Sequence, residues 1–234
     1  MTFPDSSNPI RRALIVHAHP EPASFSSAQA SAVAQQLKSE GVEVDFIDLY
    51  DLGWNPVLSR EQFMNGPGYF KPQAEQMRAF AEGTLPEPVG AHLAKLQDAD
   101  LLVLSFPVWW FSMPAILKGW IDQVFLLSAI FGGEHGIFDE GGMTTKKAMM
   151  LLTTGGAEAS FAPGASSAPG GYGELNDFFY HVHRGMFEFV GYDVVQPFVT
   201  HEPVRLSDEE REQALVKARA YVTETLLVEP AAVR

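Results

Sequence analysis

Three consecutive aromatic residues, Trp109, Trp110 and Phe111, stand just beyond an apolar run that ends at Pro107. Pro114 then begins a helical pattern, so the three rings fall in a short loop between a strand and a helix. Large rings in such a loop favour a flat ligand that packs against them, although aromatic residues are equally common in cores and interfaces. The loop therefore predicts a wall for a planar ring.

A second candidate segment, residues 17–26, follows the first apolar run and carries imidazole and hydroxyl groups. Ser24 and Ser26 fall where a helix would begin, and a capping hydroxyl with the free N–H groups of a first turn can bind a phosphate. His19 could donate a further hydrogen bond. An ordinary serine cap would carry the same residues, and neither the dinucleotide fingerprint nor a Walker loop is present. Both interpretations stay open on the sequence.

A third segment begins with Thr153, Thr154, Gly155 and Gly156, directly after a buried apolar run. Two glycines allow a tight turn whose N–H groups point at the edge of a ligand, although a purely structural turn would look the same. Open α/β sheets bind ligands beyond the carboxyl ends of their strands. We therefore expect the three loops to meet in one site.

The elements that would position these loops alternate between strand and helix. Strands are predicted over residues 12–17, 42–49, 100–106, 148–155 and 193–200, and helices over 26–39, 72–81, 86–98, 114–127 and 174–190, with a last helix capped by Ser207. This alternation predicts an α/β fold: a flavodoxin-like, doubly wound, five-stranded parallel sheet of order 2-1-3-4-5 with helices on both faces. We expect a single domain over residues 1–234, with residues 1–11 as a flexible N-terminal tail.

Composition argues against several functions. The chain of 234 residues has a formal net charge of −13, which disfavours nucleic-acid binding, and it has no cysteine, which excludes disulfides and thiolate chemistry. The histidine pairs at 17/19 and 181/183 lack a third ligand, so we expect no metal site. No apolar run reaches the roughly 18 residues that span a bilayer, and no secretory signal is visible. We expect a cytoplasmic protein that is not an integral membrane protein.

Taken together, the three loops resemble those of the NAD(P)H:quinone oxidoreductase family, the DT-diaphorase type of flavodoxin-like flavoprotein. The similar stretches include residues 13–25, 106–111, 114–120 and 146–156, and the resemblance covers roughly residues 12–226. It implies a flavoprotein oxidoreductase that works by ping-pong hydride transfer. NAD(P)H would reduce the flavin, and the flavin would then reduce a quinone or a similar flat acceptor.

The resemblance also implies a role for each matching residue. The flavin contacts that it implies are His19, Phe25 and Ser26 for the phosphates and ribityl chain; Pro107, Val108, Trp109, Trp110 and Phe111 for the ring; Thr153, Thr154, Gly155 and Gly156 for its polar edge; and Arg211 for the adenine end of FAD. Gly155 and Gly156 would additionally be catalytic, because their N–H groups would stabilise negative charge on the reduced ring.

The implied substrate pocket is lined by Trp110, Phe131 and Phe161, in a homodimer whose active sites lie at the interface and whose second subunit supplies Phe131. Two positions depart from the family pattern. The family has a tyrosine and a histidine after the glycines, where this chain has Phe161 and Tyr172. Phe161 cannot donate a proton, and Tyr172, the predicted catalytic replacement, has a reference pKa of about 10.

Several alternatives remain at this stage. FMN is the alternative to FAD, because Phe70 stands where some members have a polar residue near the adenine. A flavin-binding regulatory or ancillary subunit of a transport system, with low turnover, is the alternative function. A single-electron carrier is less favoured, because it would not need the aromatic segments between residues 161 and 192. Neither the natural acceptor nor the preference for NADH or NADPH follows from the sequence.

Overall fold

A parallel sheet lies at the centre of the computed structural model, which describes residues 9–63 and 68–227. Its strands are β1 (Arg12–His17), β2 (Glu43–Asp48), β3 (Leu101–Pro107), β4 (Lys147–Thr154), β5 (Asp193–Val194) and β6 (Phe198–His201). The strand order is β2-β1-β3-β4-β5, and β6 also pairs with β4. The predicted flavodoxin-like order is confirmed.

Seven helices surround the sheet in the described part of the chain. They are α1 (Phe25–Ser39), α2 (Pro72–Ala81), α3 (Glu87–Asp98), α4 (Ala115–Val124), α5 (Leu175–Phe178), α6 (Tyr180–Val182) and α7 (Asp208–Val222). Ser207 caps α7 as predicted: its hydroxyl accepts from the Glu210 N–H, and the Glu210 carboxylate accepts from the Ser207 N–H. Of the predicted N-terminal tail, residues 1–8 lie outside the described ranges.

The core divides into two layers because side chains of a strand alternate between its faces. On β3, Leu102 and Leu104 pack with helices α3 and α4, whereas Leu101 and Val103 pack with α1 and α7. Every residue of β3 is buried. Both faces of the sheet are therefore covered, as a parallel sheet requires.

The prediction of one continuous helix over residues 174–190 is wrong. This segment is divided into α5, α6, a π-helical turn at His183–Phe187 and a 3₁₀ turn at Glu188–Val190. Phe179, Val182, Phe187 and Val190 are all buried, at successive spacings of three, five and three. The step of five does not fit a regular α-helix, and the wider π turn brings Phe187 back to the core side.

The strand predicted over residues 193–200 is likewise two short strands. Asp193–Val194 and Phe198–His201 both pair with β4, and Pro197 stands between them. A proline cannot donate a ladder hydrogen bond, so the pairing is interrupted there. The second strand ends at the same sheet edge as the candidate loops.

Candidate functional site

The aromatic loop after β3 is a two-residue hairpin. Trp109 and Ser112 exchange backbone N–H···O bonds of 3.0 Å each, and the two residues between them have positive φ, 52° at Trp110 and 57° at Phe111. Such primed turns normally carry glycine or asparagine, since a bulky residue with left-handed backbone costs roughly 1–2 kcal/mol. The turn leaves Trp110 96% exposed at its tip. Strained backbone of this kind is concentrated at functional sites, which makes the hairpin a candidate binding element.

This strain gives a testable expectation. Trp110→Asn should raise the free energy of unfolding of the ligand-free protein by about 1 kcal/mol, because asparagine adopts positive φ more easily and an exposed indole contributes little packing. Urea unfolding measures the change. Trp109→Asn is the matched control: Trp109 lies outside the strained pair and packs against His19 with ring centroids 6.4 Å apart, so its loss should destabilise. A less stable Trp110→Asn protein would contradict the strain argument.

The start of α1 offers hydrogen-bond donors at the same edge. Ser24 caps the helix by accepting from the Ser27 N–H at 3.1 Å, while the N–H groups of Phe25 and Ser26 have no acceptor within the helix. The Ser26 hydroxyl is buried and has no hydrogen-bond partner among the described residues. A buried hydroxyl without a partner is costly, and an anionic oxygen at the helix start would satisfy it.

His19 lies beside this helix start. His19 Nδ1 lies 3.0 Å from the Glu21 backbone nitrogen and 3.1 Å from the Glu21 carbonyl oxygen, so this one ring nitrogen makes both contacts with the turn. Nε2 makes neither of these contacts and is the ring nitrogen left for a ligand. The hydrogen-bonded turn at residues 19–21 and the contact with Trp109 bring the first and second loops together.

His17 holds the start of α1 in place through hydrogen bonds, a role that sequence reasoning missed. Its side chain is buried at the end of β1; Nδ1 lies 3.1 Å from Ser105 Oγ and Nε2 lies 3.0 Å from Ser27 Oγ. Burial lowers the pKa of His17 from 6.5 to about 4, with Asp48 opposing the shift. The neutral ring thus links β1, β3 and α1 directly under the helix start. A polar residue at the end of an apolar run was the available signal.

Backbone bonds tie the third loop to its neighbours. The Thr153 carbonyl accepts from Val108 N–H at 2.8 Å, and the Thr154 carbonyl accepts from Glu202 N–H at 2.7 Å. Gly156 N–H donates to the Thr154 hydroxyl at 3.2 Å, so a ligand would have to take over this donor. A backbone hydrogen bond therefore joins the second loop to the third at this edge of the sheet.

Aromatic rings enclose the glycine turn. Phe111 stacks on Phe178 with centroids 4.5 Å apart, and Phe161 packs edge-on against Phe111 and Tyr172 at 6.3 and 5.2 Å. A Cβ placed on Gly156 would lie 2.8 Å from ring carbons of both Phe161 and Tyr172. Both residues that depart from the family pattern thus contact the glycine turn. No pattern in the sequence singled out Phe178.

Outside the hairpin lies a cleft of about 550 Å³, lined by Trp109, Trp110, Met113, Ile116, Lys118 and His181 among others. Phe131 does not reach this cleft within the same chain. It packs edge-on against Phe189, at 5.4 Å, in a groove of about 400 Å³ that also includes Lys118. The cleft and the groove therefore lie along one surface of α4.

Arg211, in the first turn of α7, holds the segment that follows β6. Its guanidinium donates to the carbonyls of Pro203 and Val204, at 3.1 and 3.4 Å, and pairs with Asp208 at 2.8 Å. These bonds place the arginine near the carboxyl end of the sheet. Each of the three guanidinium nitrogens makes one of these bonds.

The described residues contain no group of three histidine, cysteine or acidic side chains arranged to hold a metal ion. Among the helices of the same residues, none has the length and apolar character to cross a bilayer.

Comparisons with known proteins identify relatives of this chain. A family described as having a flavodoxin-like fold matches residues 11–226. Rat NAD(P)H dehydrogenase [quinone] 1 is 35% identical over 210 residues, covering 88% of this chain and 74% of the rat protein. A ribosyldihydronicotinamide dehydrogenase-like protein of Penicillium crustosum is 35% identical over 218 residues, covering 88% and 79%. The structure of a Klebsiella pneumoniae protein, described as a candidate quinone reductase, has a TM-score of 0.85 at 30% identity and covers 96% and 88%.

Proposed function

Because the chain belongs to the flavodoxin-like family, we propose that it is a flavin-dependent NAD(P)H:quinone oxidoreductase. The observation that carries the proposal is the meeting of three loops at one sheet edge: a helix start with an unpartnered buried hydroxyl, a strained aromatic hairpin and a glycine turn. The relatives at 35% identity are named for dehydrogenase activities, which supports an enzyme rather than a regulatory subunit. When bound, the flavin would supply hydride transfer by a ping-pong scheme.

The chain's own residues would bind and orient the flavin. The helix start with Ser26, Phe25 and His19 would hold its phosphates and ribityl chain. The hairpin, with Pro107 and Val108 before it, would support the ring through Trp109, Trp110 and Phe111. Thr153, Thr154, Gly155 and Gly156 would meet the polar edge, where backbone N–H groups stabilise negative charge. Phe161 and Tyr172 would line the acceptor side, with the Tyr172 hydroxyl offering a catalytic hydrogen bond.

We propose that the protein is a homodimer with its active sites at the interface. Trp110 is 96% exposed beside an apolar cleft, an arrangement that a second subunit would cover. The Phe131 groove lies along the same α4 surface, so a two-fold partner could bring its Phe131 towards the cleft. Light scattering at micromolar concentration should give twice the mass of one chain.

We propose FAD rather than FMN as the resident flavin. Arg211 and the loop that it braces lie beyond β6, at the edge where an adenine end would extend. Phe70, the residue that favours FMN as the alternative, packs against Phe63 and under Arg60. Mass measurement of the flavin released from purified protein decides between the two.

We further propose a single domain and a cytoplasmic location. Both hydrophobic layers are built on the same sheet, so neither layer would be complete alone. The absence of cysteine suits a reducing compartment, where NAD(P)H is also the available reductant.

Ser26→Ala separates binding from stability. In the ligand-free protein the change should leave the free energy of unfolding equal or raise it by about 1 kcal/mol, because a buried hydroxyl without a partner is removed. Flavin affinity should fall about tenfold, because one charge-assisted hydrogen bond is lost. Urea unfolding and fluorescence titration with FAD give the two numbers. Unchanged affinity would contradict the phosphate assignment.

Steady-state kinetics test the proposed reaction. Initial rates with NAD(P)H and a soluble benzoquinone should give parallel double-reciprocal lines, as a ping-pong scheme requires. Converging lines would show that both substrates bind together, and the absence of turnover with bound flavin would refute the enzyme assignment.

A further inference from the structure

His201 occupies a position at the glycine turn that no motif or implied contact assigned to it. It ends β6, directly opposite Thr154 in the parallel register with β4. Its Nδ1 lies 3.1 Å from the Gly156 carbonyl oxygen, and its ring centroid lies 5.7 Å from that of Phe161. The imidazole therefore touches both the turn and the ring that cannot donate a proton.

The hydrogen bond fixes where the proton of the neutral ring resides. A carbonyl oxygen can only accept, so Nδ1 must be the donor to Gly156. Nε2 is then left as the site that gains or loses a proton. Because Nδ1 carries a proton in both this neutral tautomer and the imidazolium, the bond to the Gly156 carbonyl does not depend on the proton at Nε2.

The charged residues around His201 are largely paired with one another. On its own segment Glu202 and Arg205 form an ion pair of 2.8 Å, and on α7 Arg211 pairs with Asp208 at 2.8 Å. On the turn before Phe161, Glu158 is exposed. Both arginines among these neighbours are thus paired with a carboxylate. No unpaired cation in this group opposes a positive charge on the half-buried imidazole.

We propose that His201, rather than Phe161 or Tyr172, is the residue that holds a proton at the flavin site, while the Tyr172 hydroxyl only donates a hydrogen bond. The inference rests on the proposed function. Nε2 would be neutral while the resident flavin is oxidised and protonated while the flavin is reduced. In both states Nδ1 would hold the Gly156 carbonyl and so position the turn.

The proton balance of the overall reaction is met in this way. NAD(P)H supplies two electrons and one proton as hydride, and reduction of a quinone to a hydroquinone needs two protons. The second proton would be taken from water by His201 Nε2 in the first half-reaction. It would be returned in the second, when the acceptor gains both electrons as hydride and the proton at its other oxygen.

Proton uptake during the first half-reaction tests the role without relying on turnover. Flavin-loaded protein is mixed anaerobically with one equivalent of NAD(P)H in weakly buffered solution near pH 8, with a pH-indicator dye. The wild type should take up about one proton per flavin reduced, since the proposal requires Nε2 to gain its proton from solution as the flavin is reduced. His201→Gln, whose amide can still donate to Gly156, should lose this uptake while its flavin still bleaches.

Two further variants identify the group responsible. Tyr172→Phe should retain the uptake, and so should His135→Gln, a matched change at an exposed histidine. Equal uptake by wild type and His201→Gln, or its loss in Tyr172→Phe, would overturn the proposal and leave the quinone reductase assignment intact. Protein that binds no flavin, or whose flavin NAD(P)H does not bleach, would overturn the proposed function and this inference with it.

An NMR titration of the wild type provides an independent reading if His201→Gln folds poorly. The His201 imidazole should titrate at higher pH in the reduced protein than in the oxidised protein. An unchanged titration midpoint would contradict the proposal.

Discussion

Lowering the pH from 7 to 4 should destabilise the wild-type protein by about 3 kcal/mol more than its His17→Gln variant. The folded chain holds His17 neutral, with a pKa of about 4 against 6.5 in the unfolded chain. Between these values the unfolded state binds more protons, so stability falls as the pH falls through 6.5 and the full loss is reached below about 4. The difference between 6.5 and about 4, at about 1.36 kcal/mol per pH unit, gives the magnitude.

Urea unfolding of both proteins at a series of pH values measures this effect. The two proteins are compared by how their free energy of unfolding changes with pH and not by its absolute value. The reason is that glutamine would also weaken the bonds that His17 makes to Ser105 and Ser27. Carboxylates that titrate in the same range contribute to both proteins and cancel. Parallel curves between pH 7 and 4 would show that His17 is not held neutral beneath the α1 start.

Gly156→Ala should destabilise the fold by roughly 1–3 kcal/mol and reduce flavin affinity at least about tenfold. Its Cβ would lie 2.8 Å from ring carbons of both Phe161 and Tyr172, inside van der Waals contact. One of the two rings must move to relieve this clash. Either movement would change the shape of the glycine turn, which is proposed to contact the polar edge of the flavin. Thermal unfolding and FAD titration measure the two effects.

Gly155→Ala is a closely matched control for stability. A Cβ there meets nothing within 4 Å, and Gly155 does not have positive φ, so its free energy of unfolding should change by less than about 0.5 kcal/mol. If both variants were equally stable, the aromatic enclosure of Gly156 would not be as tight as the geometry indicates.

Much of the fold follows from the sequence, because buried parallel strands and amphipathic helices have distinct periods. The apolar centre of residues 100–106 predicted β3, and the serine and glutamate at 207 and 210 predicted the start of α7. The π turn at His183–Phe187 and the break at Pro197 were missed, because they depend on which side chains must reach the core and which strand accepts the pairing.

For the candidate site, the sequence could place residues at strand ends but could not show what they touch. Trp110 was predicted as a wall residue, yet its positive φ and near-complete exposure are visible only in three dimensions. His201 follows the last predicted strand. The rule that ligands bind beyond the carboxyl ends of the strands, which selected the other three loops, therefore also applies to its position. Its bond to Gly156 depends on the split of that strand, which brings β6 alongside β4.

Anaerobic half-reactions test the central claim most directly. Purified protein carrying its flavin is titrated with NAD(P)H, and the reduced protein is then mixed with one equivalent of a benzoquinone. The account predicts that one equivalent of NAD(P)H bleaches the flavin absorbance and that one equivalent of quinone restores it. Protein that binds no flavin, or flavin that bleaches only with a chemical reductant, would contradict the assignment.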